Sequence, residues 1–246
     1  MTLLSPDSAG GSGCASQFDF SQSHWAKVLN TAAHSATETE TAWTHLCQSY
    51  WFPLYAQLRS SGLAKNIVEE TLPVYLAVAQ AQTLQPAPAS HTSRLRLFLL
   101  ATLKSFLLQP SSVTSSSTRL NLTIDWVEAD RQFQAAAATL PPESVFEYEW
   151  KRALLAQTIA RLRAESEAAG KGKLFSQLIT TLSAGQNSSA FAEVARSLDL
   201  EEGAVRVAVL RLRKQYRTLL REEVAHTVAE VSLVDLELQS LFGTHV

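Results

Sequence analysis

The chain has 246 residues, 46% of them hydrophobic and 18% charged, with a formal net charge of -2. That length suits one or two domains of roughly 100–200 residues, and the apolar content is ample for a folded core. Near-neutrality excludes bulk attraction to nucleic acid, so any DNA-binding surface has to be local; no run approaches the roughly 20 apolar residues that span a bilayer, which excludes a membrane partner.

In chain order, residues 1–23 are rich in Ser, Gly, Ala and Asp and read as a disordered tail, because they offer little burial against their ordering entropy. Residues 24–109 read as a first helical domain. Leu46, Tyr50, Leu54 and Leu58 recur at helical spacing, and so do Leu95, Phe98, Leu99, Thr102 and Phe106. Between these segments Pro73, Pro86 and Pro88 interrupt the pattern, and Pro73 is expected to break its helix. Residues 110–142 read as a linker that starts in the Ser/Thr-rich stretch Pro110 to Thr118 and ends at Pro141-Pro142. Leu120 to Ile124 is the one strand candidate, and it has no evident partner.

Residues 143–225 read as a second, four-helix domain. Val145, Tyr148, Leu155, Ile159 and Leu162 mark a long helix ended by Ala168 to Gly172; Leu174, Leu178, Ile179 and Leu182 mark the next, and Gly185-Gln186-Asn187 a turn. Residues 226–246 read as a tail with a short helix. The expected fold is therefore all-α, two helical domains joined by a linker.

Ala190 to Arg221 carries the most chemical information. Phe191, Val194, Ala195 and Leu198 give the apolar side of a short helix, and Asp199 to Gly203 supplies a break. At about 100° per residue, Val205, Val209, Leu212, Tyr216 and Leu219 then gather on one side of a second helix, while Arg206, Arg213, Lys214, Arg217 and Arg221 gather on another. No acidic residue lies between Arg206 and Arg221. The pattern is that of a helix-turn-helix, whose second helix docks by its apolar stripe and offers cations to DNA.

The wording from Phe191 to Arg213, continuing through Tyr216, Leu219, Leu220, Arg221 and Glu222, resembles region 4 of extracytoplasmic-function type RNA polymerase sigma factors. Leu46 to Arg59 is similar to the opening of region 2 of the same proteins, and Leu95 to Leu107 to a later region 2 helix. The resemblance implies an RNA polymerase sigma factor that binds promoter DNA and directs transcription initiation. Arg206 and Arg211 would contact base edges or phosphates, and Arg213, Lys214 and Arg217 the DNA backbone. It also implies core RNA polymerase as a partner, gripped through Glu69, Glu70 and Tyr75, with an anti-sigma factor as a further partner. The first domain departs from the family: Pro73 falls in the polymerase-gripping segment, and Leu108 to Ser117 lacks the basic residues that usually follow. Glu201 stands where the family often has a serine N-cap, which predicts a weaker cap. Asp199 replaces the turn glycine and is expected in a left-handed conformation.

Catalytic readings find little support. His24, His34, His45, His91, His226 and His245 are scattered with no i, i+4 pairing of two histidines, so no metal site is expected. Gly170-Lys171-Gly172-Lys173 lacks phosphate-loop spacing and follows a helix instead of a strand. Cys14 and Cys47 have neither metal nor redox spacing, which fits a reducing, cytoplasmic setting. Trp43, Tyr50, Trp51 and Tyr55 could stack on bases of an opened strand, but core packing is the favoured reading, as for Trp126 and Trp150. No enzyme activity and no cofactor is expected. The alternatives to a sigma factor are a sigma-derived regulator without initiation activity and a helical protein-interaction module.

Overall fold

The structure, a computed structural model, describes residues 19–83, 93–108, 120–179 and 188–243. Most of the predicted tail, the Pro86 and Pro88 stretch, the start of the linker, the Gly185 turn, Cys14, His91 and His245 lie outside these residues. Among the described residues the fold is all-α, with no strand beyond one isolated bridge between Arg94 and Val228. No described helix is long and apolar enough to cross a membrane.

Among the described residues ten helices follow a short 3-10 turn at Phe20–Gln22: α1 His24–Leu29, α2 Ala36–Ser60, α3 Lys65–Thr83, α4 Leu95–Leu107, α5 Trp126–Ala137, α6 Pro142–Ala168, α7 Gly172–Leu178, α8 Ser188–Leu198, α9 Glu202–Ala225 and α10 Leu233–Phe242. Local signals set several of their ends. Ser35 and Glu38 form a reciprocal capping box at the start of α2, a motif that satisfies two of the otherwise unbonded first-turn N–H groups. In α2, Tyr50 leaves helical geometry at φ -125, because the Pro53 ring collides with the carbonyl one turn earlier.

Pro73 does not end its helix, contrary to the sequence expectation: α3 runs through it to Thr83. The lost hydrogen bond is outweighed by burial of Val68, Leu72, Val74, Tyr75, Leu76 and Ala79 along the same helix. Leu120 to Ile124 forms no strand; Leu120 donates a single backbone bond to Pro73 O at 3.2 Å, and Leu120 and Leu122 pack on the core.

Among the described residues most buried apolar side chains fall into two clusters. The larger joins α1 to α5 with Val145, Phe146, Trp150 and Leu154 of α6, Leu220, Val224 and Ala225 of α9, and Val234, Leu238 and Leu241 of α10. The smaller joins Leu162, Phe175 and Leu178 to Phe191, Val194 and Ala195 of α8 and Val205, Val209, Leu212 and Leu219 of α9.

Four predicted boundaries are corrected by the structure. The second half of the expected linker is α5, capped by the Asp125 carboxylate on the N–H groups of Val127 and Glu128, with Ala129, Phe133 and Ala136 buried. The expected domain edge before residue 143 falls at the start of a helix whose first turns belong to the larger cluster. The short helix expected within the C-terminal tail is α10, but it packs into that same cluster and is not part of a tail. At the other end, Ser23 is buried rather than part of a loose tail, and its hydroxyl donates to Ala225 O at 2.8 Å.

Candidate nucleic-acid interface

Helix α8 buries Phe191, Val194 and Ala195 against Val205, Val209 and Leu212 of α9, so the two helices share one apolar seam. Between them Asp199 adopts φ 53, and the N–H of Leu200 returns to Ala195 O at 2.9 Å. This is the six-to-one bond of a Schellman stop, with Asp199 in the left-handed position that glycine usually takes. Both expectations about the turn hold. Glu201 is the N-cap of α9 and makes no side-chain cap bond.

Opposite the buried stripe, α9 presents cations to solvent. Arg211, Lys214 and Arg217 are exposed, and none has an ion pair among the described residues. Arg206, also exposed, is engaged within its own neighbourhood: its Nη2 lies 2.6 Å from Glu202 Oε1, and its guanidinium sits over the Phe191 ring. Arg213 is half-buried at the margin of the seam. At the far end of the helix Arg221 pairs with Asp235 of α10 at 2.5 Å, which takes it out of the open face. The face also carries apolar side chains that the sequence reading did not single out: Val207 is 46% and Leu210 62% exposed.

The residues expected to grip polymerase do not form one surface. Glu70 is exposed, and Glu69 lies 3.7 Å from Lys65 one turn earlier. Tyr75 is instead fully buried, its hydroxyl donating to Leu99 O at 2.7 Å, and burial pushes its pKa up. It is a core residue of α3 and cannot meet a partner beside the two glutamates.

The aromatic set takes the packing role expected of it. Trp43 and Tyr55 are fully buried, and Tyr50 stacks on Trp150 at 4.6 Å. Trp51 meets Trp126 edge to face at 5.9 Å. Cys47 is buried, which raises its thiol pKa and removes nucleophilic character.

The histidines are less scattered than the sequence suggests. His24 lies with its ring 4.2 Å from both His45 and His226, a stack contributed by α1, α2 and the end of α9. Burial is the main cause that holds His24 down to about 4 and His226 down to about 3, and it lowers His45 as well. Among the described residues no group of three or more His, Cys, Asp or Glu side chains is arranged to hold a metal ion.

No protein-family model matches the chain, and no match is found among curated proteins or solved structures.

Proposed function

We propose that this chain is a sigma-factor-like transcription protein: α8 and α9 act as a helix-turn-helix that binds promoter DNA, and the protein works with core RNA polymerase in transcription initiation. The observation that carries the reading is the exposed row of Arg211, Lys214 and Arg217 on the side of α9 opposite its buried stripe. A short stopped turn sets α8 against that helix, as a reader helix requires for support. The protein acts by binding and positioning, with DNA attraction coming from this local patch because the whole chain has a net charge of -2.

Salt titration tests the DNA arm. Each phosphate contact adds about 0.9 to the slope of log affinity against log salt. The triple substitution Arg211→Ala, Lys214→Ala, Arg217→Ala is therefore expected to weaken binding to random duplex DNA and to flatten the slope by about 2.7. A shallow slope in the unsubstituted protein would point instead to a module that binds an acidic protein.

One observation favours a second reading. With Tyr75 buried in α3, the expected polymerase grip lacks its aromatic member, which supports a sigma-derived regulator that binds promoter DNA without starting transcription. Copurification with core polymerase and runoff transcription separate the two. A promoter-dependent transcript supports the sigma factor; firm DNA binding with no transcript supports the regulator.

A further inference from the structure

The open side of α9 is not uniformly cationic. Between two sets of charges runs a ridge made by Val207 and Leu210, with Lys214 following at the next turn. At about 100° per residue, Arg206, Arg213 and Arg217 fall on one side of this ridge and Arg211 on the other. Both apolar side chains stand well out of the fold, Leu210 with 62% of its surface in water. Exposed apolar side chains occur elsewhere on the fold, Val127 and Val231 among them; what sets Val207 and Leu210 apart is that they stand between cations on one helix face, an arrangement that suits a ligand offering apolar points between negative charges.

Duplex DNA supplies that match. Its major groove, about 12 Å wide, admits one α-helix, its two lips are rows of phosphate, and the apolar feature on its floor is the C5-methyl group of thymine. A helix seated with the ridge inward sets cations toward both lips. Arg206 suits a lip better than the floor, because its guanidinium is already bonded to Glu202 and laid over Phe191 of α8. From Val207 to Arg221 the sequence holds no carboxylate that would face the phosphates.

We infer that Val207 and Leu210 are the residues that set base preference, by apolar contact with thymine methyl groups, so that the bound site contains A·T pairs beneath the second and third turns of α9. The arginines then hold the backbone instead of reading bases. This inference rests on the DNA-binding reading above.

The test uses the full chain and a pool of random-sequence duplexes. The enriched duplex is remade with uracil in place of thymine, position by position, which deletes only the methyl group. A buried methyl is worth about one CH2 of transfer energy, so each contacted thymine is expected to lose affinity about fourfold on becoming uracil. The double variant Val207→Ala, Leu210→Ala leaves the buried stripe untouched and is expected to bind the thymine and uracil duplexes equally. Equal affinity of the unsubstituted protein for both duplexes overturns the inference while DNA binding stands. So does salt-dependent binding with no sequence enriched. Absence of duplex binding at any salt concentration overturns the DNA reading itself, and this inference with it.

Discussion

Glu237 shows how far a single carboxylate can reach when it is buried. Its side chain is 1% exposed and lies between two guanidinium groups, Arg96 at 2.5 Å and Arg94 at 3.2 Å. Arg96 also donates to Glu147 of α6 at 2.6 Å and to Ser240 of α10 at 2.9 Å, so one network ties α4, α6 and α10 together. Removing one member of a buried charge network leaves the others desolvated and unneutralised, at a cost of about 3–5 kcal/mol. Glu237→Ala is therefore expected to lower unfolding free energy in urea by about that amount. Arg131→Ala serves as the control: the Arg131–Glu128 pair is just as short, 2.6 Å, but the arginine is 75% exposed, and solvent screening leaves such a pair with little net effect. An equal shift of the two urea midpoints would contradict the assignment of the network to the core. Nothing in the sequence reveals this network, because Arg96 and Glu237 lie 141 positions apart; spacing rules report neighbours on one helix and are blind to partners brought together by packing.

The α8–α9 pair is the part most legible from sequence, because its information is local. The apolar stripe repeats at helical spacing, with Val205, Val209, Leu212 and Leu219 buried as expected and Tyr216 half-buried. The stop at Asp199 follows from side-chain chemistry. A β-branched residue tolerates a left-handed conformation far worse than Asp, so Asp199→Val is expected to cost about 1–2 kcal/mol in thermal or urea unfolding. Glu201 offers the opposite opportunity. Replacing it with Ser supplies the missing cap for the first N–H groups of α9 and is expected to add about 1 kcal/mol; unchanged stability in Glu201→Ser would mean that those groups already have partners in solution. Elements that depend on distant burial are not legible in local pattern. α5 carries a readable start in Asp125 followed by Glu128, but the Ser-rich stretch before it invites the reading of a linker. At Pro73 the buried side chains on either side outweigh the local penalty of the ring. The candidate interface divides the same way: exposure of Arg211, Lys214 and Arg217 and the i, i+4 pair of Arg206 with Glu202 follow from periodicity, whereas the seat of Arg206 over Phe191 and the burial of Tyr75 depend on packing.

Taken as a whole, the molecule is held together across its length by helices that serve both apolar clusters. α6 and α9 run from one cluster to the other, and Arg161 of α6 bonds Glu222 and Glu223 of α9 at 2.5 and 3.3 Å. Where α9 ends, residues 225–229 are sewn to both early segments: Trp25 N donates to His226 O, Leu95 N to Thr227 O and Ala229 N to Ser93 O, at 2.9 to 3.0 Å. The stack of His45, His24 and His226 sits at this junction, with Lys27 of α1 and Arg161 of α6 adding positive charge around it. Burial and these cations all disfavour protonation, so the folded protein keeps His24 and His226 neutral down to about 4 and about 3. The unfolded chain takes up those protons near pH 6.5, binding more of them than the fold does as the pH drops. Stability from the stack is thus complete above about pH 6.5 and is lost progressively toward the folded pKa values. Two carboxylates titrate in the opposite sense: desolvation raises the buried Glu149 and the half-buried Glu223, so they gain protons in the fold first and partly offset the loss. The melting temperature is expected to fall between pH 7 and pH 5, and to fall less in the variant His24→Asn, His226→Asn, which removes two of the three rings. A midpoint that stays level over that interval, or the same decline in the variant, would place the acid sensitivity elsewhere and would mean that the junction of α1, α2 and α9 does not depend on neutral imidazoles.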